Sequence, residues 1–288
     1  MKILVTGGSG FLGRSVIYNL LKKKYFVINY DLNDLDINHK NYKFFKGDIL
    51  DYMSLKKAIK AVDYIYHYAG FADIDDSTEK PKDVAEQNII GLINILQLSK
   101  INKVKRVFIA SSLYVYSQKG SFYRVSKQSG ELFVKEFNNQ FNLNYTILRY
   151  GSLYGLNSSS KNGIKRLLSQ AITKKEIQYK GDPNDTREYI NVDDAAEISA
   201  NLLEAQYKNK TLIISGVDKF KAEELFRIFG EILNKKIKVK YQKNLDNKHY
   251  NMTPFSYSDD ITKKIIPSKY IEFGEGILKL INEIKKDR

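Results

Sequence analysis

Val5-Thr6-Gly7-Gly8-Ser9-Gly10-Phe11-Leu12-Gly13 follows an apolar run, Lys2–Thr6, and opens a helical pattern, Gly10–Lys23. Small residues at such a junction let the chain turn tightly and let its backbone approach a pyrophosphate. The helix N-terminus then offers free N–H groups and the positive end of a dipole, and Gly13 lets the helix pack closely on the strand. Asp31 closes the next apolar run. A carboxylate there can accept hydrogen bonds from an adenine ribose and repels a 2′-phosphate. Glycines, strand and acid together predict a dinucleotide site, with NAD expected rather than NADP.

The same rhythm continues outward. Strands are predicted at Lys2–Thr6, Phe26–Tyr30, Tyr42–Lys46, Tyr64–His67, Arg106–Ser111 and Asn144–Arg149. Helices are predicted at Gly10–Lys23, Met53–Ala61, Lys82–Lys100 and Tyr123–Phe141. Apolar runs separated by helices imply right-handed βαβ units and a parallel sheet covered on both faces. The expected fold is therefore α/β, a Rossmann-type doubly wound parallel sheet. After about Gly155 the pattern changes to a helix near Ile164–Thr173, a polar loop at Gly181–Thr186, a strand at Thr211–Ser215 and a helix at Ala222–Asn234. A small C-terminal α/β lobe is expected there, with Asp193–Leu203 packing back on the main sheet. The Lys-rich end, Ile277–Arg288, reads as a frayed amphipathic helix.

Composition narrows the function. The 288 residues are 43% hydrophobic and 28% charged and include no cysteine, which excludes disulfides and thiolate zinc sites. No metal site is expected. The N-terminus lacks the apolar stretch of a signal peptide, and no segment is apolar for long enough to span a bilayer, so a cytoplasmic protein without a membrane role is expected. The formal charge of +14 is spread over short lysine runs such as Lys22-Lys23-Lys24 and Lys235-Lys236, without a basic stripe interleaved with aromatics. Nucleic acid is not an expected partner; positive charge instead steers anionic small molecules.

The second half of the site carries a resemblance. Tyr123-Arg124-Val125-Ser126-Lys127 is a Tyr-x-x-x-Lys at the start of a helix, its two functional side chains one turn apart on one face. Ser111-Ser112-Leu113-Tyr114-Val115-Tyr116 ends the preceding strand. Gly47-Asp48-Ile49, His67-Tyr68-Ala69-Gly70 and Asn88-x-x-Gly91-x-x-Asn94 fall after the third strand, after the fourth, and on the long helix. With these, most of the chain resembles the extended short-chain dehydrogenase/reductase family, specifically its NAD-dependent sugar epimerase/dehydratase group.

The resemblance implies roles. Ser112, Tyr123 and Lys127 take the catalytic positions. Tyr123 exchanges a proton with the substrate hydroxyl, Lys127 and the positive nicotinamide favour the phenolate, and Ser112 orients the substrate oxygen. Gly7, Gly10, Phe11, Leu12, Gly13 and Asp31 hold the cofactor together with Asp48, Ile49, Ala69, Gly70 and Tyr150, and Lys127 reaches the nicotinamide ribose. Arg187, in Thr186-Arg187-Glu188-Tyr189-Ile190-Asn191-Val192-Asp193-Asp194, is expected to clamp the diphosphate of a nucleoside-diphosphate sugar, the alternative being an ion pair with Asp185 or Glu188. Ser112, Tyr114 and Ser152 are further substrate residues; at Ser152 many relatives carry asparagine. Tyr116 is expected to be structural or to line the pocket, and Asp193 and Asp194 to cap the following helix.

Two departures matter. Sugar 4,6-dehydratases of this group place an Asp-Glu pair where this chain has Leu113 and Tyr114, so that elimination is not expected. The loop from Tyr116 to Tyr123 is also short. The expected organisation is 1–155 for cofactor and catalytic residues and 156–288 mainly for substrate, with part of 186–216 returning to the first unit. The expected activity is nucleotide-sugar 4-epimerisation in carbohydrate biosynthesis. The alternatives are a 4-dehydrogenase or 4-ketoreductase with the same residues, or a non-catalytic dinucleotide- or RNA-binding scaffold. A homodimer is expected through the helices Lys82–Lys100 and Tyr123–Phe141, the first of which carries Ile89, Ile90, Leu92, Ile93, Ile95 and Leu96.

Overall fold

The computed structural model describes residues 1–217, 219–242, 249–254 and 263–287. It begins β1 (Lys2–Thr6), α1 (Phe11–Lys22), β2 (Phe26–Asp31), β3 (Tyr42–Lys46), α2 (Tyr52–Ala58) and β4 (Tyr64–His67). Two short helices follow, α3 (Ile74–Ser77) and α4 (Pro81–Ala85), and a π-helical turn, Glu86–Ile90, leads into α5 (Gly91–Ile101). Then come β5 (Arg106–Ser112), α6 (Ser121–Phe141) and β6 (Tyr145–Tyr150). The remainder is β7 (Ser152–Tyr154), α7 (Gly163–Lys174), β8 (Glu176–Lys180), β9 (Thr186–Asn191), α8 (Val192–Asn201), β10 (Lys210–Ile214), β11 (Lys219–Lys221), α9 (Ala222–Leu233), β12 (Lys238–Gln242), β13 (Lys263–Ile265) and α10 (Phe273–Lys286).

Eight parallel strands form the main sheet in the order β3-β2-β1-β4-β5-β6-β10-β13. This is the Rossmann-type α/β fold. Strand alternation explains its two cores. Ile3 and Val5 face α1 and α8 with Phe108, Leu148 and Ile214, while Leu4 faces α2 and α5 with Ile28, Ile65 and Ile147. Strand order reverses between β1 and β4, which opens a crevice beyond their carboxyl ends, where doubly wound sheets bind ligands.

The chain returns to this sheet twice after β6, through β10 and β13, and α8 packs across α1. Between these returns lies a smaller lobe. The ladder β11-β9-β7 and the pair β12-β8 surround a third core, made by Leu168, Phe226, Phe229, Ile277 and Leu280. Here α10 differs from the frayed end expected from its lysines. Phe273, Ile277, Leu280, Ile281 and Ile284 recur at helical spacing and are all buried, so its apolar stripe docks firmly. The long helix expected at Lys82–Lys100 is present without interruption, and a π turn within it adds a residue to the spiral and turns Asn88 inward. The cap of α8 is Asn191, whose side chain accepts from the Asp193 N–H, rather than Asp193 or Asp194. Those two carboxylates instead accept from Ser15 and from the Ile271 N–H. No helix among the described residues is long and apolar enough to cross a membrane.

Candidate active site

The β1–α1 turn lies against the end of β4. Gly7 has φ +68°, and a Cβ there would come within 2.4 Å of the Ala69 nitrogen, so only glycine fits this close approach. A Cβ on Gly13 would meet the Gly7 carbonyl oxygen at 2.2 Å, which fixes how near α1 sits to the turn. Gly10 caps α1, leaving the first-turn N–H groups, those of Phe11 and Leu12 among them, without helical partners. Asp31 accepts from the backbone N–H of Ser9 at 3.0 Å and of Asn33 at 3.2 Å, so its carboxylate ties the glycine turn to the end of β2. Its remaining lone pairs can still receive two vicinal hydroxyls. Around the crevice, Asp48 accepts from the Leu50 N–H, and Ile49 packs where a Cβ on Gly91 would stand. Asn88 clamps the Ala69-Gly70 turn by bonding both polar backbone groups of Phe71, and also reaches the Ser126 hydroxyl. A close backbone cradle, a helix N-terminus and an acid at the second strand fit a dinucleotide.

Ser112 ends β5 beside Tyr150, its register partner on β6. A tight turn through Gly120 (φ +107°) and Ser121 (φ +50°) starts α6 just before Tyr123. Burial pushes the Tyr123 phenol up to about 12, with the neighbouring Ser112 hydroxyl acting in the opposite direction. Lys127, one turn along, donates to the Ala110 carbonyl at 3.1 Å and holds its ammonium 5.7 Å from the Tyr123 ring centre. Burial pulls this ammonium down to about 8 against the attraction of Glu131. His67 lies beneath, bonded to Thr6, and burial and the Lys127 charge drive it down to about 3, so it is neutral. Tyr150 lines the cleft with its ring, while its hydroxyl is held by Ser199 and Tyr68.

Ser112 and Tyr123 open into a cavity of about 680 Å³. It continues past Tyr114, Ser152 and Arg187 to Gln178, Tyr179 and Gln242 on the paired β8 and β12. Arg187 is not the surface ion pair weighed above. Among the described residues Glu188 pairs with Lys219 and Lys264, and Asp185 accepts from Asn251. The Arg187 guanidinium instead sits 4.8 Å from the Tyr250 ring, donates to the Tyr250 carbonyl at 3.2 Å, and meets the hydroxyls of Tyr114 and Tyr179. A half-buried cation held among tyrosines keeps its charge available to an anionic ligand.

The structure adds residues that the motifs did not single out. Glu131, two turns beyond Tyr123 on α6, makes a two-point ion pair with Arg149 and accepts from Ser111. Arg149 also donates to Tyr116, which is thereby a structural partner of β6. The available signal was the eight-residue spacing from Tyr123, which keeps Glu131 on the inward face. His249 and Tyr250 line the cavity from a segment that carries no local pattern.

Residues 3–214 match the family model described as the NAD dependent epimerase/dehydratase family. A putative UDP-glucose 4-epimerase of Methanocaldococcus jannaschii is 29% identical over 99% of both chains. A UDP-glucuronate 4-epimerase of Thermodesulfobacterium geofontis is 26% identical over 99% of this chain and 96% of its own. The solved structure of a UDP-glucuronic acid 4-epimerase from Bacillus cereus, in complex with UDP-glucuronic acid and NAD, superposes with a TM-score of 0.88 over 100% of both chains at 23% identity, a likeness of fold.

Proposed function

Because the chain belongs to the NAD dependent epimerase/dehydratase family, an enzyme group of the extended short-chain dehydrogenases/reductases, we propose that it is a nucleotide-sugar 4-epimerase. The observation that carries this reading is the single cavity, with Ser112 and Tyr123 at one end, Arg187 along its wall and the β8–β12 edge at the other. A sugar, a diphosphate and a base need those three environments in that order. The relatives that act on UDP-sugars support the same class of substrate.

Gly7, Gly10, Phe11, Leu12, Gly13 and Asp31 would hold NAD along the β1–β4 crevice with Asp48, Ile49, Ala69 and Gly70. When bound, NAD supplies the redox partner that takes hydrogen from sugar C4 and later returns it. Tyr123 removes the C4 hydroxyl proton and gives it back. Ser112 donates to the oxygen as it becomes a carbonyl, and Lys127 favours the phenolate form of Tyr123. Arg187 grips the diphosphate while the transient 4-keto sugar turns over, so that hydrogen can return to the opposite face. Leu113 is buried and Tyr114 is bonded to His249, which leaves neither as an acid–base pair for elimination.

A 4-dehydrogenase or 4-ketoreductase would use the same side chains, and products separate the three. Mass spectrometry of a nucleotide-sugar panel, incubated with and without NAD or NADH, is expected to give an isomer of unchanged mass. Loss of two hydrogens would make the protein a dehydrogenase, gain of two a reductase, and loss of water would overturn the reading of Leu113 and Tyr114.

A homodimer fits the same surface helices. Leu92, Ile95 and Leu96 are spent on the core, but Ile90 remains exposed with Phe122, Val125, Leu132 and Phe133, the last four on one face of α6. Light scattering should give twice the chain mass, and Val125→Glu with Leu132→Glu should halve it. A monomeric wild type would reject the assembly.

A further inference from the structure

One line of polar side chains in the cavity wall has its direction fixed at both ends. Arg187 and Tyr114 both pack on the Tyr250 ring, at 4.8 and 4.5 Å from its centre, and because the guanidinium carries only donors, Tyr114 can only accept from it. The Tyr114 proton then has one partner, His249 Nδ1, at 2.7 Å. That nitrogen must accept, which places the imidazole proton on Nε2, and Nε2 faces the Asp75 carboxylate at 3.4 Å. The line runs from a cation to an anion, and each link can be made in one sense only. Burial and the nearby Arg187 charge lower the His249 pKa, which favours the neutral ring that this order needs. Arg166, whose guanidinium is 3.9 Å from Asp75, anchors the far end. The three members come from distant parts of the chain: α3, the turn after β5, and the segment before Asn251.

We propose that Asp75, His249 and Tyr114 are positioning residues that hold the Arg187 guanidinium in the cleft where it meets the substrate's diphosphate. This rests on the nucleotide-sugar reading only in taking the Arg187 ligand to be a diphosphate. Tyr250 fixes one edge of the guanidinium through its carbonyl and ring, and Tyr114 packs against that same ring. Without Tyr114 held by His249, the long arginine side chain regains rotamers, and anion binding carries the cost of ordering it again.

The test measures binding of UDP and of uridine, by calorimetry, to the NAD-loaded protein, so that no turnover is needed. Tyr114→Phe and His249→Phe are expected to weaken UDP about tenfold, an effect of about 1.4 kcal/mol, and to leave uridine unchanged. His249→Gln is expected to restore UDP binding, because its amide can accept from Tyr114 and donate to Asp75. Asp75→Asn should bind like the wild type, since its amide oxygen still accepts, and Asp75→Leu should not. Wild-type UDP affinity in both phenylalanine variants would overturn the proposal, as would equal losses for UDP and uridine, which indicate a collapsed pocket. Should UDP bind as expected while no sugar is turned over, the epimerase reading fails and this one stands.

Discussion

Tyr123→Phe is expected to lower turnover about 10³-fold, within the range that general acid–base groups contribute, while NAD and UDP bind as in the wild type. The ring that packs against Tyr114 remains, and only the hydroxyl beside Ser112 is lost. The phenol is a poor base on its own, since burial holds it at about 12. A proton step at Tyr123 would therefore depend on positive charge beside it, and among this chain's own groups that charge is Lys127, which burial pulls down to about 8. The sign follows. Below about pH 8 the ammonium is present and favours phenolate; above it the charge is lost, and kcat is expected to fall. Initial rates over pH 6–10, with NAD content measured in each protein, decide the matter. A Phe variant that keeps more than about a tenth of wild-type turnover would remove Tyr123 from the proton step.

The second large effect concerns stability. Glu131 and Arg149 are each 7% exposed, and both carboxylate oxygens are engaged. Glu131→Ala strands a buried guanidinium with Tyr116 as its remaining partner among these contacts, and is expected to cost about 3–5 kcal/mol. It also frees the Ser111 hydroxyl next to Ser112. The pair Arg227–Glu231 is a control of the same chemistry at 67% and 61% exposure. Its loss by Glu231→Ala should cost about 0.5 kcal/mol or less. Urea unfolding of the two variants separates them. Equal midpoints would mean that burial does not set the worth of the inner pair.

How much of this was legible in the sequence depended on how each element is buried. β1, β2, β4, β5 and β6 are covered on both faces, so their side chains are mostly apolar on both and their ends could be placed within a residue or two. The glycine turn was legible because backbone contact at Gly7 and Gly13 tolerates no Cβ. β13 carries two exposed lysines in three residues and gave no strand pattern; the ladder of β10 recruits it. α10 reads correctly as an amphipathic helix, but its exposed lysines suggest a frayed end, whereas its apolar stripe is docked. In the candidate site, residues clustered in motifs stood out. Glu131 and Arg149 lie 18 positions apart and meet in space because α6 runs back across the parallel strands β5 and β6. Asp75 and His249 lie 174 apart, and nothing in either neighbourhood names the other.

The late return of the chain to its own sheet sets a schedule for its birth on the ribosome. The strand β6 is complete at residue 150, but β10, which pairs with its free edge, ends at residue 214, 64 residues later. At about 5–20 residues per second this leaves an apolar sheet edge uncovered for roughly 3–13 s. Neither Ile147 nor Leu148 has its final neighbours before then. An unpaired edge invites pairing with another nascent chain. The time for which β6 stands unpaired is therefore set by how quickly the stretch from residue 151 to residue 214 is read.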